Sequence, residues 1–170
     1  MSAMRKNKIR QREIENLDII KRFTLQISSI NCRLGEVRQI WAKTLGISGP
    51  QWMILIAISD LEKDGGVPVK VVSKLLHVDP SFVTTQSKRL EQKGLLRRLS
   101  SPIDGRVVQM SLTEKTRKNL ASLDAQYGAI KEFVFKEFDE KELIVFSTKL
   151  ATLDNRLEKA CLKLASDFDF

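Results

Sequence analysis

Histidine and cysteine are nearly absent from this sequence, with one His (His77) and two Cys (Cys32 and Cys161) among 170 residues. The cysteines lie far apart and form no CxxC pair or Cys/His cluster, which argues against structural zinc or another metal site. There is no HExxH, no P-loop and no dinucleotide glycine fingerprint, so no catalytic residue and no cofactor is expected and the chain does not read as an enzyme. Long apolar runs are missing too. The longest, Trp52 to Ile58, has seven residues, against the roughly 20 that a spanning helix needs. The N-terminus is basic (Arg5, Lys6, Lys8, Arg10, Arg12) but lacks the apolar stretch of a secretory signal, so a cytoplasmic location without a membrane partner is expected.

Acidic residues are in deficit, 21 against 29 Lys and Arg, for a formal charge of +8 and a pI near 9.6. Such a balance favours an anionic partner, because clustered cations release counterions when they neutralise phosphates. Charge alone leaves a nucleic acid, a membrane surface and plain solubility open. A hydrophobic share of 42% and a charged share of 29% suit a globular protein. The length suits one compact domain, or a small module with helices added for assembly.

Proline is absent and glycine occurs once between Ile14 and Thr44, where Ile20, Phe23, Ile27, Ile30, Leu34, Val37 and Trp41 follow steps of three and four. This spacing predicts a long amphipathic helix. Turn residues from Leu45 to Pro50 supply a capping serine, Ser48, for a buried helix from about Gln51 to Glu62, and Lys63 to Gly66 break the pattern. A short helix is expected over Val67–Leu76, closed by His77 to Asp79. Asp79 caps a second helix that has Pro80 in its first turn, runs to Lys93 and stops at Gly94 in a C′ position. Two short helices joined by a tight turn form a helix-turn-helix. Leu95–Ser100 and Val107–Leu112 then read as strands of a hairpin whose tip is Ser101 to Arg106.

Beyond Thr113 the three-four spacing resumes at Leu120, Leu123, Tyr127, Ile130 and Val134, stopping near Asp139. It returns at Leu143, Phe146, Leu150, Leu153, Leu157, Ala160 and Leu164. The expected fold is mainly α with a small β-hairpin wing: a winged helix-turn-helix over 49–113, flanked by an N-terminal arm and helix over 1–48 and by helices over 114–170. Apolar stripes this long call for a partner surface. Homodimerisation through both ends is the expected solution, giving one intertwined structural unit.

Three stretches resemble the MarR family of bacterial regulators. Asp104-Gly105-Arg106 followed by Leu112-Thr113 is similar to the family's wing signature. Leu90-Glu91-x-x-Gly94-Leu95-Leu96 resembles the end of its recognition helix, and Leu45-Gly46-Ile47-Ser48-x-Pro50-Gln51-Trp52 resembles the start of its second helix. The resemblance implies an obligate homodimer facing a pseudo-palindromic operator on double-stranded DNA, with the helix from Pro80 in the major groove. It also implies that Arg106 reaches the minor groove or its phosphates while Asp104 holds that arginine in place.

Charge and spacing bear on the same roles independently. Between Val67 and Thr113, eight basic residues (Lys70, Lys74, Lys88, Arg89, Lys93, Arg97, Arg98, Arg106) face three acids, an excess of five. On the recognition helix Pro80, Ser81, Thr84, Thr85, Gln86, Lys88 and Arg89 are candidates for DNA contact; glutamine can pair bidentately with adenine, and hydroxyls serve bases or phosphates. Many family members carry arginine where this chain has Thr85, which removes direct guanine reading at that position. Ser87 falls where an apolar residue is due and is expected to bond to the backbone. The basic N-terminal run reads either as a phosphate-contacting arm or as a solvated tail.

A small-molecule effector is expected where the dimerisation helices meet the winged helix, as the resemblance implies. Trp41, Trp52, Arg33, Arg38 and Tyr127 are candidates for its wall, and their aromatic and cationic character suits an aromatic carboxylate or a larger anionic thioester. The tryptophans read equally as core. Cys32 reads as a buried apolar residue or as an oxidation sensor. The expected function is a sequence-specific transcriptional repressor released from its operator by the ligand. A winged-helix interaction module and an architectural DNA binder are the alternatives.

Overall fold

The computed structural model of the chain describes the backbone of residues 2–62 and 66–167, and the side chains of 17–62, 66–123 and 128–167. Contacts divide the chain into two compact units, Met1–Lys118 and Asn119–Phe170. In chain order the elements are α1 (Ser2–Thr44), α2 (Gly49–Leu61), β1 (Val67–Pro68), α3 (Val69–Leu76), α4 (Pro80–Gln92), β2 (Leu96–Ser100), β3 (Val108–Leu112), α5 (Glu114–Phe135) and α6 (Glu140–Asp167). This is the winged helix-turn-helix with long flanking helices that the spacing predicts.

The first helix is longer than its apolar stripe. With 43 residues it extends about 65 Å at the usual rise of roughly 1.5 Å per residue. It begins at Ser2, not near Ile14, so the basic run lies on helical backbone. The side chains of Arg5, Lys6, Lys8, Arg10 and Arg12 are outside the described residues.

Local chemistry explains where α2 and α4 begin and end. Ser48 caps α2 in a capping box: its hydroxyl accepts the Gln51 N–H (3.4 Å), and the Gln51 side-chain oxygen accepts the Ser48 N–H (3.2 Å). Asp79 caps α4 by accepting the Ser81 N–H at 2.7 Å, and Pro80 opens the helix. Lys93 ends it, and Gly94 follows with φ +67°, a left-handed conformation that favours glycine. The α3–α4 turn passes through His77 at φ 51°, the one non-glycine with positive φ among the described residues.

The sheet has three strands in the order β1-β3-β2, all antiparallel. Sequence spacing assigns Val67–Pro68 to a helix, but Val67 pairs with Met110 and Pro68 with Gln109. A two-residue strand has no period to read and exists because β3 offers it an edge. Pro68 lacks an N–H and is tolerated there because β1 has no further neighbour.

The core of the first unit is built from α2 and the elements laid against it. Ile54, Leu55, Ile58, Val72, Val83 and Leu90 are fully enclosed, as are Leu96 and Met110 of the sheet. Trp41 and Trp52 belong to this core, each 7% exposed. Ser87 is fully buried and bonds to the Thr84 carbonyl at 3.0 Å, as its odd position predicts. The second unit differs: α6 has no buried residue, and Ile144, Phe146, Leu157 and Leu164 are all exposed.

Candidate nucleic-acid interface

Helix α4 turns Val83, Ser87 and Leu90 into the core. Ser81, Thr85, Lys88 and Arg89 are left exposed with Pro80, while Thr84 and Gln86 are half-buried. Gln86 occupies the flank nearest α2, where its side-chain oxygen accepts the Gln51 amide N–H at 3.1 Å. Gln51 thereby serves two ends, capping α2 and tethering α4. Spacing alone places Gln86 among the base readers and leaves Gln51 out. The S-x-x-Q pattern from Ser48 to Gln51 signals the cap, but nothing local signals a bond spanning 35 residues.

Threonines tie the chain just after β3 to the turn between α4 and β2. The Thr113 hydroxyl donates to the Gly94 carbonyl at 2.9 Å, and the buried Thr116 hydroxyl donates to the Leu95 carbonyl at 2.6 Å. The Arg98 N–H donates to the Glu91 carboxylate at 2.9 Å. Arg97 is exposed on β2. Arg98 is half-buried, and its Nε is enclosed with no hydrogen-bond partner among the described residues. Another connection missing from the local pattern is Arg117 to Glu62 at 2.6 Å, which ties the start of α5 to the end of α2. That bond and the Glu62 charge raise the Arg117 pKa further above neutrality.

At the wing tip Asp104 accepts the backbone N–H of Arg106 at 3.0 Å. The carboxylate thus fixes the Arg106 main chain; no ion pair joins the two side chains among the described residues. Both side chains are exposed. At the start of α4, bonds from the Ser81 hydroxyl and backbone N–H hold the Asp79 carboxyl below its usual range.

Beside α4 lie two open clefts. One, of about 390 Å³, is bounded by Gly35, Arg38 and Gln39 of α1, Gly49, Pro50 and Met53 of α2, and Leu76, Val78 and Phe82. The Arg38 guanidinium is held at its edge by the Leu34 carbonyl (3.0 Å), the Asn31 side-chain oxygen (3.2 Å) and Met53 Sδ (3.5 Å). Of the candidate effector residues, this cleft includes Arg38. Trp41 and Trp52 are packed in the core, and Arg33 is exposed and paired with Glu36 at 3.4 Å. The Tyr127 side chain lies outside the described residues. The second cleft, of about 540 Å³, separates the start of α2 from α4 and is lined by Gln51, Gln86, Arg89 and Lys93 among others.

Cys32 is exposed in the described chain and does not take the buried reading. No group of three or more His, Cys, Asp or Glu is placed to hold a metal among the described residues. No described helix is long and apolar enough to cross a membrane.

A family model for the MarR family matches residues 47–108, from the turn before α2 to the start of β3. The HTH-type transcriptional repressor MdtR of Bacillus subtilis is 30% identical over 112 residues, covering 64% of this chain and 72% of MdtR. The chain belongs to the MarR family. Solved structures agree on the fold. A mutant MarR from E. coli complexed with operator DNA superposes with a TM-score of 0.62 at 22% identity, over 75% of this chain and 89% of that one. CouR from Rhodococcus jostii, bound to p-coumaroyl-CoA, gives 0.65 at 19% identity, over 75% and 87%. This MarR-family chain is therefore a DNA-binding transcriptional regulator built on a winged helix-turn-helix.

Proposed function

We propose that this regulator is a homodimeric repressor that reads a pseudo-palindromic operator and is released from it by a small anionic ligand. The observation that carries the reading is α4 itself. Its core face is sealed by Val83, Ser87 and Leu90, its opposite face presents Ser81, Thr85, Lys88 and Arg89, and a wing bearing Arg106 follows directly. Hydroxyls and cations on that face suit phosphates and base edges in a major groove. Arg106 suits the enhanced negative potential of a narrow minor groove. Gln86, tied to Gln51, acts in this scheme by holding α4 on α2, and base reading rests on Ser81, Thr84 and Thr85.

Dimerisation is supported by what the terminal helices leave uncovered. On α1, Leu17, Ile20, Phe23 and Leu34 are exposed, as are the apolar positions of α6. A second copy covering both faces would remove this surface from water. Repression is supported by the likeness to MdtR. The effector reading rests on Arg38, whose guanidinium sits at the mouth of an apolar cleft of a size that suits small ligands. The CouR complex is a precedent for an anionic thioester held by the same fold. A ligand there would act by favouring a geometry in which the two recognition helices no longer match successive major grooves.

Selection of bound fragments from genomic DNA, followed by titration of the best fragment at several salt concentrations, tests the reading. One inverted repeat bound by two protomers with a steep salt slope is expected. Equal affinity for unrelated duplexes would replace sequence-specific repression with architectural binding.

A further inference from the structure

The wing tip carries a side chain that its surroundings do not account for. Ile103 is 95% exposed, the highest value for any large apolar side chain among the described residues. Its connection is tightly organised. Ser101 is buried, and its hydroxyl accepts the backbone N–H groups of Ile103 (3.3 Å) and Asp104 (3.5 Å). Across the base of the tip the Ser101 N–H donates to the Val107 carbonyl at 2.8 Å and the Val107 N–H to the Asp104 carbonyl at 2.9 Å. With the Arg106–Asp104 bond at 3.0 Å, the main chain is held on both sides of Ile103. The side chain is therefore projected outward from a fixed backbone, and contact orders little that is not already ordered.

A lone exposed isoleucine is ordinarily unremarked. Here it stands on the tip that presents Arg106 three residues later. The minor groove of B-form DNA is about 6 Å wide, and its walls are the C–H faces of deoxyribose, an apolar surface that carries no base-specific donor or acceptor. An arginine can use the potential of that groove, while an isoleucine can use its walls. Apolar side chains do enter minor grooves alongside cationic ones.

We propose that Ile103 packs against the deoxyribose wall of the minor groove beside Arg106 and gives the wing a share of DNA affinity that does not depend on charge. This rests on the wing's DNA-contacting role proposed above. Burial of the side chain on binding contributes through area removed from water, whereas Arg106 contributes through counterion release; salt separates the two.

The test uses the best duplex recovered by the wild-type protein from random-sequence DNA, titrated by fluorescence anisotropy between about 50 and 200 mM salt. Ile103→Ser is expected to weaken binding about tenfold at every salt concentration, with the slope of log K against log salt unchanged. Ile103→Leu keeps the apolar surface and stays within about twofold of wild type. Arg106→Ala, the reference, weakens binding and flattens the slope by about one per protomer. At 95% exposure Ile103 contributes nothing to the core, so the thermal midpoint of Ile103→Ser stays that of wild type. Wild-type affinity for Ile103→Ser, while Arg106→Ala still flattens the slope, overturns the apolar contact and leaves the wing's DNA role standing. A slope changed by Ile103→Ser also overturns it. If Arg106→Ala and Ile103→Ser both bind as wild type, the wing's role and this proposal fall together.

Discussion

Helices α2 and α6 show two ways in which an amphipathic sequence finds its fold. The 13 residues of α2 bury Gln51, Trp52, Ile54, Leu55, Ala57 and Ile58 within the first unit. The 28 residues of α6 bury none, although α6 has the more regular three-four stripe. A hydrophobic stripe states that a surface is to be covered, and it does not say by what. The winged helix supplies its own cover from nearby elements, while the stripe of α6 is left exposed, and the homodimer proposed above would cover it.

Breaking that contrast gives the largest expected effect. A chain ending at Asp139 lacks α6 and is expected to run as a monomer or aggregate in size-exclusion chromatography with light scattering; a soluble dimer would remove α6 from assembly. Next is Leu90→Ala, at a fully enclosed position, expected to cost about 2–5 kcal/mol in denaturant unfolding. The matched change on the other side, Leu157→Ala at 54% exposure, is expected to raise the dimer dissociation constant and leave α4 packing untouched. Equal losses of unfolding stability at high dilution would erase the distinction between the two regions.

Arg106→Ala comes third, weakening DNA binding about tenfold while the thermal midpoint holds, because the side chain is exposed. The smallest effect concerns the α4 cap. The Asp79 carboxyl has its pKa lowered by the Ser81 bonds, so its stabilisation is fully present above the unfolded pKa of about 3.9 and is lost as pH falls through the lower folded value. Asp79→Ala is expected to lower the thermal midpoint slightly at neutral pH, with the gap from wild type closing in that acidic range. A gap constant down to the lowest pH would assign the loss to something other than the charged cap.

What was legible in the sequence was what neighbours decide. Ser48, Asp79, Pro80 and Gly94 mark their boundaries because capping and left-handed turns involve residues two or three apart, and the hairpin tip is legible for the same reason. The strand at Val67–Pro68 was not, since its pairing partners Met110 and Gln109 lie some forty residues on. Gln51–Gln86 and Glu62–Arg117 escaped for the same cause. Periodicity placed Trp41 and Trp52 on apolar faces but could not separate the wall of a cleft from the middle of a core. The start of α1 at Ser2 lay beyond its stripe, where no apolar spacing marks a helix.

The threonine bonds from Thr113 and Thr116 to the carbonyls of Gly94 and Leu95 carry a consequence for how an operator can vary. With the Arg98–Glu91 bond they brace α4 and the wing against each other, so in the proposed DNA complex the offset between a major-groove contact of α4 and a minor-groove contact of the wing would be set by the fold. One base pair inserted between those two contacts is then expected to defeat a half-site, as titration of the altered duplex would show. One inserted between half-sites would instead test how the two protomers of the proposed dimer are joined.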